Sequence, residues 1–376
     1  MSSLSRGPAP EVVVVGGGVI GCAIAWALAG EGARVRVLER SGIASESSGA
    51  AAGILAPRIH ATDAALFALA MESHRRLPAL AEALRDDAGV DVEYVRTGVL
   101  ELAHDAAGEQ TLLKKTRQLQ HAGHELRWLE PKEVLEQEPN LAPDLRGALF
   151  DPDGFQIHPL RFTQALARAA AHRGVEFCVG TEALGIKRDG AVATAVQTSG
   201  GDIAAGHVVL APGAWASRWS ADLGFDLPVF PARGQILALA AIGVPLRRVV
   251  YGRGVYLLPR RDGTVIVGAT DERAGFDKSL TPAGLAWLLS TAPAVCPALA
   301  SARFDRAWTG LRPGSPDEVP IVGPAPGWDN LTIATGHYRN GIMLTPVTAA
   351  IVADYVLRGE TALPASAWDP ARFASN

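Results

Sequence analysis

Glu11-Val12-Val13-Val14-Val15-Gly16-Gly17-Gly18-Val19-Ile20-Gly21-Cys22-Ala23-Ile24-Ala25-Trp26-Ala27-Leu28 is the stretch that decides the fold. Four consecutive valines predict a strand covered on both faces, because β-branched side chains suit a pleated, buried surface. Three glycines break the run, and the Ala-rich sequence beyond them favours helix. Gly16, Gly18 and Gly21 hold the three places of G-x-G-x-x-G. The first allows the tight turn, the second lets a pyrophosphate approach the backbone, and the third lets helix and strand pack closely. The helix start then offers free N–H groups and a favourable dipole to the phosphates. A second strand, Ala33 to Leu38, ends at Glu39, an acid roughly 20 residues beyond the glycines, where a ribose hydroxyl needs an acceptor. The segment from Val12 to Gly30 has the length of a membrane span, but its clustered glycines and its change from β-rich to helix-rich sequence argue for strand, turn and helix.

The 376 residues suffice for about two domains with real cores. With 48% hydrophobic and 20% charged residues the composition is that of an ordinary globular protein. A net charge of −4 provides no basic field for nucleic acid or an anionic membrane, so neither is expected as a partner. Cys22, Cys178 and Cys296 are widely spaced and form no C-x-x-C pair, which fits a reduced, cytoplasmic protein better than a disulfide framework. Met1 to Pro10 carry no secretory pattern.

After Glu39-Arg40 comes Ser41 to Leu55, rich in small hydroxylated and glycine residues that can donate to a further phosphate or a flat ring system. The opening motif, Glu39-Arg40 and Ser47-Ser48-Gly49-Ala50-Ala51-Ala52-Gly53 together resemble the FAD-binding region of the D-amino-acid-oxidase family. The resemblance extends over nearly the whole chain and is strongest to the glycine oxidases of thiamine biosynthesis. It implies non-covalent FAD rather than NAD. The fold it implies is α/β, of α+β two-domain type. A Rossmann-like FAD-binding domain (residues 1–85, 152–218 and 316–376) accompanies a substrate domain built on a mostly antiparallel sheet (residues 86–151 and 219–315).

Along the middle of the chain, Met71 to Leu84 reads as an amphipathic helix, Val92 to Leu102 as two short strands around Gly98, and Leu112 to Ala122 as another helix. His121 and His124 form an H-x-x-H pair, but no third ligand sits at metal spacing, so no metal is expected. Glu130 to Pro143 reads as a surface crossing. His158 precedes Pro159 and is read as a helix-entry histidine rather than a base. Strands follow at Val175 to Val179, Ala191 to Gln197 and His207 to Leu210.

From Leu227 onward the pattern turns to strands, with Asp262-Gly263 as a hairpin turn, and these strands together with Val92 to Leu102 predict one mostly antiparallel sheet. Tyr251 and Tyr256 are an odd number of places apart, so on one regular strand they face opposite ways. The resemblance selects Tyr256 as the substrate contact. Arg312, in Trp308-Thr309-Gly310-Leu311-Arg312-Pro313-Gly314, needs an anion in its apolar surroundings. By residue type that anion is either an internal carboxylate or a bound ligand. The resemblance selects a substrate carboxylate. Ala334 to Pro346 again gives a glycine loop and a helix start, after a strand at Leu331 to Ile333 and before a helix at Val347 to Leu357.

Carried over residue by residue, the resemblance implies that FAD contacts Gly16, Gly18, Val19, Ile20 and Gly21, then Glu39 and Arg40, then Ser47, Ser48, Ala52, Gly53 and Ile54. It adds Ala183 at the adenine, and His337, Tyr338, Arg339, Asn340, Gly341, Ile342 and Met343 at the flavin, with Arg339 also reaching the substrate side. The implied reaction is oxidation of glycine, sarcosine or a small D-amino acid by O2, giving a 2-oxo acid, ammonia or an amine, and hydrogen peroxide. The implied assembly is a homotetramer. A flavin dehydrogenase using a quinone or protein acceptor, and a non-catalytic protein with a structural flavin, are the alternatives.

Overall fold

The computed structural model describes residues 11–60, 64–241, 243–244 and 246–374; Met1–Pro10 and the reading made of them lie outside it. Val12–Val15 is the inner strand of a six-stranded sheet and pairs in parallel with His207–Leu210 on one side and Val35–Glu39 on the other. Glu176–Val179 extends the sheet beyond Val35–Glu39 and Leu331–Thr335 beyond His207–Leu210, both parallel, and Ile321–Pro324 closes that edge antiparallel. The four valines alternate faces. Val12 and Val14 meet a helical layer, Val13 and Val15 a layer of short strands, so all four are buried. The helical layer contains Val19–Gly30, Ala64–Ala88, Pro159–His172 and Gly341–Arg358. Opposite it lies the antiparallel meander Ala183–Asp189, Val192–Thr198 and Gly201–Ala204.

Gly341–Arg358 is long and apolar enough to cross a membrane, yet 61% of it is buried, and Leu344, Val347, Ile351 and Val352 belong to the core. It starts six residues before the predicted Val347, which makes Gly341, Ile342 and Met343 its first turn. Two glycines explain how the opening turn closes. Gly16 has φ +115°, and a Cβ there would lie 2.3 Å from the Ala211 carbonyl oxygen. A Cβ on Gly21 would lie 2.0 Å from the Gly16 carbonyl oxygen, so only glycine lets the helix pack this close to its strand.

The second sheet has eight strands, ordered Arg303–Gly314, Phe230–Ala240, Thr264–Gly268, Val255–Pro259, Val249–Gly252, Val99–Ala103, Gly147–Asp151 and Arg127–Leu129. All neighbours are antiparallel except Val249–Gly252 with Val99–Ala103. Helix Pro282–Val295 covers one face through Leu288, Ala292 and Val295. Sequence had not signalled this helix, although Thr281 caps it and Pro282 occupies its first position.

Three expectations are corrected. Val95–Arg96 leaves the large sheet, after which Gly98 (φ +68°) turns the chain, and instead pairs with Phe155–Gln156 in a small sheet that also holds Ile54–Leu55. The stretch from Val249 to Pro259 is not one strand but a hairpin, turned by Arg253 and Gly254 at positive φ. Glu130 to Pro143 is more than a surface crossing: it forms the capped helix Pro131–Gln137 and buries Glu138 against Arg248 at 3.1 Å.

Candidate functional site

A cavity of about 730 Å³ runs from the carboxyl ends of the parallel strands to one face of the eight-stranded sheet. Gly16, Gly18, Val19 and Ile20 line its first end, where Gly18 is the extended N-cap of helix Val19–Gly30. Glu39 and Arg40 stand beside them. One Glu39 oxygen accepts the Gly17 N–H at 2.8 Å and the other the Ser41 N–H at 2.7 Å. Ala183 lines the same end. Gly21 is off the wall because it is spent on packing against Gly16.

Ser47, Ser48, Ala52, Gly53 and Ile54 line the middle. Ser47–Ala50 is a helical turn fastened to the start of helix Val19–Gly30 and to the eight-stranded sheet. Ser48 Oγ accepts the Val19 N–H at 2.9 Å. Ser47 donates its hydroxyl to the Leu311 carbonyl, and Trp308 Nε1 donates to the Ala50 carbonyl at 3.0 Å.

At the far end the two tyrosines meet. Because the Val249–Pro259 segment is a hairpin, Tyr251 and Tyr256 are directly opposite across its strands, with ring centres 5.9 Å apart, and both line the cavity. The opposite-face expectation therefore fails, and Tyr251 is a wall residue that the pattern had left undecided. Burial pushes the Tyr256 hydroxyl up to about 12 against the opposing pull of Arg312, and burial also raises that of Tyr251, so both remain donors at neutral pH.

Arg312 lies on strand Arg303–Gly314 with its guanidinium over Gly234, where a Cβ would meet its Nη2 at 2.4 Å. Its Nη1 donates to the Thr270 carbonyl at 3.1 Å and stands 3.7 Å from Asp271 Oδ1, beyond hydrogen-bond reach. Asp271 is instead held by Arg339 Nη2 at 2.5 Å and by the Tyr338 hydroxyl. Sequence had not singled it out; its place just after the Thr264–Gly268 strand, one neighbour of the Tyr256 strand, was the only signal. Burial disfavours its ionised form, but the bonds from Tyr338 and Arg339 and the charge of Arg312 outweigh this and hold the carboxyl below its usual range.

His337, Tyr338, Arg339, Gly341 and Ile342 line the wall. His337 is buried, its Nε2 3.0 Å from Thr348 Oγ1, and burial drives its pKa to about 3, so it is a neutral wall rather than a base. Asn340 and Met343 are not on the wall. Asn340 is the N-cap of the last helix, and Met343 points into the core with its carbonyl accepting from Ser73 Oγ at 2.6 Å. His158 stands at the entry of helix Pro159–His172, where its side chain also caps the helix by accepting the Arg161 N–H at 3.5 Å. His121 bonds the Arg117 carbonyl and His124 packs edge-on against Phe67, and among the described residues no group of three potential metal ligands occurs.

The donor set fits FAD. A helix N-terminus with a glycine cap suits a phosphate, a strand-end carboxylate on the wall suits a ribose hydroxyl, and the cavity continues past a small-residue segment to an aromatic and cationic end. Cys22, Cys178 and Cys296 are buried away from the wall, so no thiol is placed for a covalent flavin link.

The family model "FAD dependent oxidoreductase" (DAO) matches residues 11–355. Glycine oxidase from Geobacillus kaustophilus (strain HTA426) is 37% identical over 94% of this chain and 94% of its own length. The crystal structure of glycine oxidase from Geobacillus kaustophilus superposes with a TM-score of 0.94 at 36% identity, covering 97% of this chain and 99% of the other. The bifunctional protein ThiO/ThiG of Trichormus variabilis (strain ATCC 29413 / PCC 7937) is 37% identical over 92% of this chain, which spans 52% of its length. Iminodiacetate oxidase from Chelativorans sp. BNC1 superposes with a TM-score of 0.87 at 29% identity, covering 96% and 98%.

Proposed function

Because the chain belongs to the FAD dependent oxidoreductase family, as an FAD-dependent amino acid oxidase, we propose that its substrates are glycine and similarly small amino acids, sarcosine and D-alanine among them. The observation that supports this reading is one continuous cavity with Gly18 and Glu39 on the wall at one end and Arg312 and Tyr256 on the wall at the other. Held by Gly18, Glu39 and the Ser47–Ala50 turn, FAD would supply a two-electron acceptor for the amine, with O2 as the final oxidant and hydrogen peroxide as its reduced form.

The chain's own residues bind and aim the substrate. Arg312 pairs with its carboxylate, in an enclosed setting where such a charge-assisted bond is strong. Tyr256, held protonated by burial, donates a second bond to the same group. Two bonds to one end fix the direction of the α C–H, and orientation of this kind does much of the work when no acid or base need act on the reacting carbon. Tyr251, opposite Tyr256, keeps water from the wall beside it. The imine product then leaves and hydrolyses in water to a 2-oxo acid and ammonia or an amine.

The same reading divides the chain into an FAD-binding domain (1–85, 152–218, 316–376) and a substrate domain (86–151, 219–315), supported by every strand of the six-stranded sheet lying in the first set and every strand of the eight-stranded sheet in the second. It further places the protein in the cytoplasm as a homotetramer whose imine feeds the thiazole of thiamine, a role supported by the likeness to a ThiO/ThiG fusion. Glycine, sarcosine and D-alanine supplied in air with peroxide detection test the reaction. Peroxide matching the substrate consumed is expected. Flavin bleaching without peroxide turns the reading to a dehydrogenase, and no bleaching at all to a structural flavin.

A further inference from the structure

We infer that Asp271 determines specificity by charge: it neutralises one of the two guanidiniums that flank it in the cavity, those of Arg312 and Arg339, fitting the site to an amino acid with one carboxylate and against one with two. This deepens the reading above and rests on it. Arg312 and Arg339 both line the cavity, and Asp271 lies between them, 3.7 Å from the first and 2.5 Å from the second. These two guanidiniums and Asp271 together carry a single net positive charge, and the other charged side chains on the wall beside Tyr251 and Tyr256 are matched elsewhere, Glu101 by Lys115 at 2.9 Å and Arg253 by Asp144. The Asp271 side chain cannot easily swing away, because its Oδ2 is shared by Arg339 and the Tyr338 hydroxyl. Tyr338 is itself fixed, its backbone N–H donating to the Pro313 carbonyl at 2.9 Å, next to Arg312.

The placement gives the site a direction. The Arg312 side chain is 20% exposed and that of Arg339 is 60% exposed, so Arg312 lies inside, Arg339 at the mouth, and Asp271 in between. A monocarboxylate held by Arg312 leaves Asp271 undisturbed. A diacid that used both guanidiniums would have to bring its second carboxylate against Asp271, and like-charge contact of this kind rejects a competing ligand without improving binding of the preferred one. With the negative charge removed, two forked donors would suit a dianion.

The holoenzyme is titrated with two ligands it cannot oxidise, acetate and malonate, followed by the change in flavin absorbance. The wild type, Asp271→Asn, Arg339→Gln and the double variant are compared. Asp271→Asn is expected to tighten malonate by about tenfold while acetate moves less than about threefold. In turnover, the preference for iminodiacetate over glycine rises by a similar factor, carried by KM rather than kcat. Arg339→Gln, which leaves no net charge, weakens malonate more than acetate. The double variant again carries one net positive charge and returns the malonate-to-acetate ratio to near the wild-type value, a restoration that a merely structural Asp271 would not produce. Equal shifts for both ligands in Asp271→Asn, or a double variant that does not return, overturns the inference. Should Asp271→Asn fail to fold, a malonate-to-acetate ratio unchanged by Arg339→Gln overturns it equally. A wild type that binds acetate but oxidises no amino acid refutes the proposed reaction, while the ligand titrations still decide the charge role.

Discussion

Arg312 and Tyr256 occupy the same end of the cavity but contribute differently. On the proposed reading the guanidinium makes a charge-assisted bond to the substrate carboxylate, so Arg312→Ala is expected to cost roughly 3 kcal/mol of transition-state stabilisation, read as kcat/KM, while FAD stays bound. Tyr256→Phe removes a single donor to a charged acceptor and should raise KM by about tenfold with kcat less affected. Since burial lifts that hydroxyl to about 12, KM in the wild type should show no ionisation of Tyr256 below pH 10; a KM that climbs from pH 8 only in the protein carrying Tyr256 would contradict the assignment. At this scale sequence was informative where chemistry is local. Arg312 declares its need for an anion through its apolar neighbours. Asp271 does not declare itself, because its partners Tyr338 and Arg339 lie 67 and 68 residues away and only the fold brings them together.

Among the elements, the glycine turn separates packing from ligand approach. A Cβ on Gly21 would strike the Gly16 carbonyl at 2.0 Å, whereas one on Gly18 would meet only Ser48 Oγ, at 3.2 Å, and point towards the cavity. Gly21→Ala should therefore lower the melting temperature of the apoprotein, by an overpacking cost of about 1–3 kcal/mol. Gly18→Ala should leave the apoprotein near wild type and weaken FAD binding, measured by flavin fluorescence on titration. Equal losses of stability in both would contradict this division. Strand, turn and helix were readable here because three glycine requirements fall within six residues. The Val249–Pro259 hairpin was not, since Arg253-Gly254 is an uncommon turn pair inside a continuous β-rich run, and taking the run as one strand sent Tyr251 to the wrong face. The two-residue strand Val95–Arg96 was assigned to the wrong sheet for a similar reason: so short a segment carries no information about its partner.

For the whole molecule, two buried histidines contribute to the loss of stability in acid. Burial drives His337 from 6.5 to about 3 and His207 from 6.5 to about 4. Between those values and 6.5 the unfolded chain binds protons that the folded chain refuses, so stability rises with pH through this window and is level, for these groups, above it. The melting temperature should fall as pH drops from 6.5 towards 4, less steeply in His207→Gln; equal slopes would show that His207 is not the cause. The central claim is that a flavin-bearing cavity grips a small amino acid by its carboxylate through Arg312, and anaerobic mixing of holoprotein with glycine tests it most directly. The wild-type flavin should lose its visible absorbance on mixing, and Arg312→Ala, equally yellow, should do so at least about 100-fold more slowly. A purified protein that is colourless and takes up no added FAD, or an Arg312→Ala protein that bleaches at the wild-type rate, would contradict it.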